Sequence, residues 1–454
     1  ATHGGDAIHL MVQTLTDVSL PAMVSAFSSG VNMIPPEESV PVLLEYVRKG
    51  TEEEQEAALY LLIQIGRPLA EHAEFFVEDI EKSSGKATTT RRIDFLGSIL
   101  RNIGPEAAPA VMVLLEENQT MGIAADVLRD YGLLALPELA DFRGNNTSEQ
   151  AALRVAASIR NRGASVSQFF VHQRRFEETR RIDPKTPASD VLRLTTEQMN
   201  ELGIEDMTVR EAADHLTIYL RGRDDVSGPG SGEMAINRRR AAEALQQFGY
   251  HGRVAIPYLI EALDSYDSSL RWASIATIQN FPEEATDAID PLIELARNDE
   301  SEVAQARALW ALGEFGPAAR EAIPLLVDRV ETPLILRGSG VQPDDVRAAA
   351  GFSLARIDPE KAADVLPVLF HHRRWRLREA GAHSLAIAGP PAIPFLREQL
   401  ESGSQGDQEL AAMALFKMSE RHPSARLALD LANPKRTEFL RWVADNRFDK
   451  RRER

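Results

Sequence analysis

The chain of 454 residues is 44% hydrophobic, 6% aromatic and 26% charged, with a formal net charge of −17; this is the composition of a folded chain with a large core, not of a disordered one. It contains no cysteine, which excludes disulfides, thiolate metal sites, haem attachment through sulfur and cysteine nucleophiles together. No run approaches the ~18 apolar residues of a membrane span, and at about 150 residues per domain the length suits three domains or one elongated array. The sequence opens at Ala1 without the basic-then-apolar form of a secretory signal. Absence of cysteine fits an exported bacterial protein as well as a cytoplasmic one, and the expectation leans to export.

In chain order, VPVLLEYV (Val40 to Val47) predicts a proline-led helix, and EAALYLLIQIG (Glu56 to Gly66) a helix ending in a glycine cap. FLGSILRNIGPEAAPAVMVLL, from Phe95 to Leu115, repeats helix, glycine and proline, and LPELADF around Pro137 starts another helix. Residues 37–160 thus read as three or four degenerate helix pairs. From about Gln168 to Asp225 the chain turns polar and charged, with helical apolar spacing at Val191, Leu192, Leu194, Met199 and Leu202, before a flexible break at Gly228-Pro229-Gly230-Ser231-Gly232. This stretch reads as an insertion bridging two arrays or as a functional arm.

Six alanine-rich blocks follow, ending in Leu245, Ile278, Leu312, Leu354, Leu385 and Leu415, at spacings of 33, 34, 42, 31 and 30 residues. Each predicts a helix whose small residues let a neighbour approach and whose large ones fill the core. Gly249, Gly316 and Gly389 suit left-handed caps, and second helices start at Pro257, Pro291, Pro324, Pro367 and Pro394, where a missing N–H costs nothing. The long spacing of 42 is explained by a turn-rich loop, TPLILRGSGVQP, from Thr332 to Pro343. Such a pair of helices cannot bury both faces alone, so it stacks on the next.

Helix, glycine turn, proline-led helix and an acid–arginine link, seen in Asp267 with Arg271 and in Asp344/Asp345 with Arg347, resemble HEAT repeats of the short bacterial kind over roughly residues 237–432. The resemblance implies an all-α solenoid with an acid–arginine ladder between units. The ladder pattern is interrupted at Gln305, where arginine is absent, and at Arg378, which no aspartate precedes. The expected organisation is an N-terminal degenerate array at 1–165, a charged helical insertion with a glycine-rich linker at 166–235, a C-terminal array at 236–434, and a basic helix and tail at 435–454.

Catalytic motifs are scarce. Ser83-x-x-Lys86 has the spacing of a Ser–Lys pair but no companion motif, the glycines at 228–232 follow no strand, and adjacent His371 and His372 point about 100° apart on a helix. No catalytic residue, cofactor or metal is expected. Two features stand out. Glu45, Glu261, Asp328 and Glu398 lie four residues past their prolines and Glu294 three past its own, so stacking lines them into an acidic stripe. The resemblance makes that the concave, partner-binding wall, suited to a basic or amide-rich protein segment, and the alternative is a solubilising face. The second feature, His371-His372-Arg373-Arg374-Trp375-Arg376-Leu377-Arg378, concentrates positive charge around one tryptophan. It reads as packing between units, or as a site for an anion or acidic partner. Nucleic acid is disfavoured, because a chain at −17 repels phosphate and its basic residues form no extended track. The tail from Lys435 carries 8 basic and 4 acidic residues and suits docking on an acidic surface.

The function expected is a non-catalytic scaffold or adaptor that binds another protein through its repeat surface, alone or as a subunit of a larger complex. Two family-level rivals stand beside it: a phycobilin-lyase-like enzyme that attaches a chromophore, and a HEAT-like nucleic-acid-binding protein.

Overall fold

The computed structural model describes residues 3–17, 30–31, 33–84, 90–162, 182–221, 231–332, 343–419, 421–425 and 428. The loop at 333–342, the glycines at 228–230, the polar stretch 163–181 and the basic tail at 435–454 fall outside them. By packing, the chain divides into two units. One comprises residues 1–166, 333–338 and 366–454, and the other 167–332 and 339–365. Among the described residues both are all-α, solenoid-like stacks of helix pairs, with one isolated bridge between Pro187 and Thr208.

In the second unit the helices Ser231–Gln247, Ser268–Ile278, Glu302–Glu314 and Pro343–Ile357 stack in succession, and Ile289–Asn298 and Ile323–Glu331 each pack on the following first helix. The reason is the spacing of side chains. All six block-ending residues, from Leu245 to Leu415, are fully buried, as are the alanines Ala242, Ala276, Ala308 and Ala350. Small residues let backbones close in: at Gly313 an added Cβ would lie 2.9 Å from Ser353 Cα. The part of the polar stretch that is described is itself folded into this unit. The helices Thr196–Glu201 and Val209–Leu220 each start at a threonine capping box (Thr195 with Gln198, Thr208 with Glu211). Val209–Leu220 then packs on Ser231–Gln247. The helical spacing read across 191–202 falls instead on a turn at Val191, an extended link and the short helix Thr196–Glu201, just after the 3-10 turn Ala188–Asp190.

In the first unit the helices Pro36–Lys49, Glu52–Ile63, Thr90–Ile103 and Met121–Tyr131 form a similar succession. Pro41 does not lead its helix but sits inside it, because the helix begins at Pro36. The next helix also begins earlier than its apolar residues suggest, at a capping box of Thr51 with Glu54. The helices Trp375–Ala388, Ile393–Ser402 and Gln405–Ser419 belong to this unit, and Trp375–Ala388 packs against Thr90–Ile103. Gly249, Gly316 and Gly389 all have positive φ, as expected of caps, although Gly389 (ψ −140) lies outside the left-handed helical region.

Candidate functional site

Four of the five acidic positions occupy one register, and Glu45 stands nine residues into the longer helix that begins at Pro36. Helices start at Ile256, Ile289, Ile323 and Ile393, and the acid stands five residues on in each: Glu261, Glu294, Asp328 and Glu398. Glu294 is therefore in step with the others. Its proline sits one position later because Asp290 occupies the second helical position. All five acids, Glu45 included, are exposed. Glu45 is paired with Lys49 (3.0 Å), whose hydrogen bond and charge hold its carboxyl below the usual range. Asp328 pairs with Arg329 (2.7 Å), and Glu294 accepts from Asn298 Nδ2 (2.7 Å). Glu261, Glu294 and Asp328 lie in the second unit, and Glu45 and Glu398 in the first. The turn between two of the second unit's helices adds exposed Glu283, Glu284 and Asp287.

The arginine–tryptophan segment has a different fate from a free surface patch. Arg374 (8% exposed), Trp375 (3%) and Arg378 (0%) are buried within the first unit. The segment runs along three successive turns of the N-terminal helix pairs. At the first turn, Arg67 N–H donates to Arg373 O (2.7 Å) and the Arg374 guanidinium donates to Gln64 Oε1. At the second, Gly104 lies under the Trp375 ring; a Cβ there would sit 3.1 Å from Trp375 Cβ. At the third, Trp375 Nε1 donates to Asp130 O (3.3 Å). His372 Nδ1 accepts from Arg374 N–H (3.1 Å), whereas His371 is exposed with its ring edge-on to Phe370 and Phe395. Arg376 is exposed.

One turn into the helix, Arg378 completes a ring of four charges. It donates to Glu106 Oε1 (2.8 Å) and Asp407 Oδ1 (3.0 Å), and Arg67 contacts the same two oxygens at 3.2 and 3.3 Å. Burial pushes the Asp407 carboxyl up, but the Ser404 hydroxyl and the guanidiniums of Arg67 and Arg378 outweigh it and hold the group below the usual range. Beyond the ring, Glu379 and His383 stand on the same helix beside Lys417, whose Nζ lies 3.1 Å from His383 Nδ1. Burial first, then the Lys417 charge, holds His383 well below the ordinary histidine range. Burial raises Glu379 to about 7; Asp130 adds to that, and Lys417 and Arg376 oppose it.

The ladder also differs from the sequence expectation. Asp267 caps its own helix, accepting from Ser269 N–H (2.8 Å), while Arg271 reaches forward to Asp299 at 2.6 and 2.7 Å. The two interrupted junctions are both tied: Gln305 Nε2 donates to Asp299 O (2.7 Å), and Arg378 enters the charge ring. Arg347 donates to Val330 O (3.1 and 2.8 Å), while the pairing expected of Asp344 and Asp345 concerns side chains outside the described residues. Ser83 Oγ turns to Asp79 (3.3 Å). Among the described residues no group of His, Asp and Glu is placed to hold a metal, and no helix is long and apolar enough to cross a membrane.

Arg67, Glu106, Asp407, Glu379, His383 and Lys417 were not singled out from the sequence. Arg378 had a signal, since it stands seven residues before its block-ending apolar residue, as Arg271 and Arg347 do. Its partner Glu106 lies 272 residues away, where no local pattern points.

Stacked helix pairs with glycine turns define the class: an α-helical repeat protein. Residues 233–313, 256–343 and 335–415 match the HEAT repeats family. No curated protein matches the sequence. Among solved structures it is similar to the complex of CpcE and CpcF of phycocyanin lyase from Nostoc sp. PCC7120 (18% identity, TM-score 0.32, 56% of this chain and 96% of that one). It is also similar to a mutant of Kap121p (13%, TM-score 0.30, 96% and 45%). A third likeness is to the karyopherin Kap121p bound to the extreme C-terminus of the protein phosphatase Cdc14p (12%, TM-score 0.31, 94% and 55%). The chain spans about half the length of the two Kap121p chains. Likenesses this weak carry nothing about what the chain binds.

Proposed function

We propose that the chain is a non-catalytic interaction scaffold whose second unit receives a basic protein segment on its proline-led helices. The observation that supports this is the common register of Glu261, Glu294 and Asp328 on three consecutive second helices, each exposed. Carboxylates repeated once per helix pair offer a row of acceptors, and such complementarity sets partner choice and association rate. The arginine–tryptophan segment is excluded as the partner patch in this reading, because most of it is taken up inside the first unit.

The test uses the full chain and a fluorescently labelled oligolysine peptide. Reversing Glu261, Glu294 and Asp328 to lysine is expected to weaken binding by about tenfold or more, while reversing exposed Glu197, Glu205 and Asp206 of the same unit changes it less than about twofold. Equal losses from both sets would reduce the effect to bulk charge and remove the stripe from the function.

A further inference from the structure

The row of acids in the second unit has a cationic end. The helix Val209–Leu220 packs on the turn Gly249–Ala255 and on Ile256–Glu261, which carries the first acid of the row. It closes with Arg221, whose guanidinium carbon lies 5.1 Å from the centre of the Tyr258 ring. Tyr258 stands three residues before Glu261, so one helical face holds both the tyrosine under Arg221 and that acid. A second arginine, Arg253, lies 4.0 Å over Tyr250 on the preceding turn. Both arginines are exposed, and among the described residues neither guanidinium makes an ion pair or a hydrogen bond. Glu261 does not neutralise Arg221; the guanidinium lies on the ring instead. Ile218, three residues before Arg221 and 58% exposed, adds an apolar side chain to the same face.

We propose that Arg221 is a carboxylate anchor at the end of the acidic row, so that the protein segment received there is bipolar, with an acidic side chain at one end and basic side chains along the rest. This rests on the reading of Glu261, Glu294 and Asp328 as the partner's seat. A guanidinium stacked on an aromatic ring still turns its edge N–H groups outward, and their planar fork matches a carboxylate bidentately. The ring under Arg221 sets the plane of that fork in advance, so binding costs less side-chain freedom than at an unsupported surface arginine. The order of signs supplies the specificity. An acid at the end of the segment meets Arg221, whereas an acid in its middle meets a carboxylate of the row, and like charges brought together select against that arrangement. Stacked helices stand about 8–10 Å apart and an extended chain rises about 3.3 Å per residue, so one charged residue in three keeps pace with the row.

Fluorescence anisotropy with the full chain and three end-blocked peptides tests this. Each peptide is glycine with a functional residue at every third position: an end glutamate followed by lysines, the same with glutamine for the glutamate, and the first composition with the glutamate moved between the lysines. The end-glutamate peptide is expected to bind about threefold tighter than the end-glutamine one, against the pull of the chain's net charge of −17. It should bind about tenfold tighter than the mid-glutamate peptide of identical composition. Arg221→Gln should abolish the threefold gain, and Arg210→Gln, which removes the same charge from the exposed first turn of the same helix, should keep it. Failure of the row itself reads separately, as unchanged binding of the end-glutamine peptide when Glu261, Glu294 and Asp328 are reversed to lysine. No gain from the end glutamate in wild type, a gain that survives Arg221→Gln or is lost equally in Arg210→Gln, or equal binding of the end- and mid-glutamate peptides would each overturn the anchor.

Discussion

The same helical position does different work in the two units. In the second unit, Arg271, Gln305 and Arg347, each seven before a block-ending apolar side chain, reach to neighbours in the stack. Arg271 takes Ser265 O (2.7 Å) and Asp299, Gln305 takes Asp299 O, and Arg347 takes Val330 O. In the first unit, Arg378 at that position takes Glu106, from 272 residues back, and Asp407, one helix pair onward. Register decides where the guanidinium goes, and the surroundings decide what it meets. A local contact can form as soon as adjacent pairs stack, whereas the ring requires both ends of the unit.

The sharpest way to break the comparison is to truncate both arginines. Arg378→Ala leaves Glu106 and Asp407 each with one arginine of two in a largely buried setting, and is expected to cost the first unit about 3–5 kcal/mol. Arg271→Ala, which strands the nearly buried Asp299, should cost the second unit about 2–3 kcal/mol. Denaturant titration with exchange read separately in each unit checks both. Equal effects, or losses shared by both units, would deny that the ring belongs to the first alone.

Glycine gives a smaller contrast. At Gly66 (φ +71, ψ −131) a Cβ would sit 2.5 Å from Arg373 O, so an alanine meets both a forbidden backbone region and the Arg373 carbonyl. At Gly316 (φ +53) the nearest atom, Arg356 O, is 3.9 Å away. Gly66→Ala should therefore cost about 2–3 kcal/mol and Gly316→Ala about 1 kcal/mol, the latter from backbone conformation alone. Thermal unfolding of the two variants decides between them.

What was legible in the sequence follows from range. The six block-ending residues are fully buried because alanine spacing and helical period act within one helix and its neighbour. Glycine turns and second helices follow the same local rules, and the acids at Glu261, Glu294 and Asp328 took their register from them. The ring was illegible for a physical reason. Glu106 follows Gly104-Pro105 in an ordinary turn, and nothing near it says that Arg67, Arg378 and Asp407 converge there. The arginine–tryptophan run was visible as a concentration of charge, but whether such a run faces water or a turn depends on contacts 245 or more residues distant. Glu379 and His383, four apart on one helix, become a cluster only when Lys417 is brought up by Gln405–Ser419.

The gentlest test concerns glutamine standing where arginine was expected. Gln55, Gln305 and Gln408 donate to Gly50 O (2.8 Å), Asp299 O (2.7 Å) and Gly403 O (3.1 Å). Each of those carbonyls belongs to the residue that ends the preceding second helix. The last carbonyls of a helix lack intrahelical partners and carry partial negative charge, so an amide N–H is enough for this task and a guanidinium is not required. Gln305→Ala should therefore cost the second unit about 1 kcal/mol, the worth of one hydrogen bond. Gln305→Glu removes the donor and sets a negative charge against a helix C-terminus, so it should cost more than alanine. If glutamate were tolerated as well as glutamine, the shared position would serve to fill space, and the parallel with Arg271 would fail.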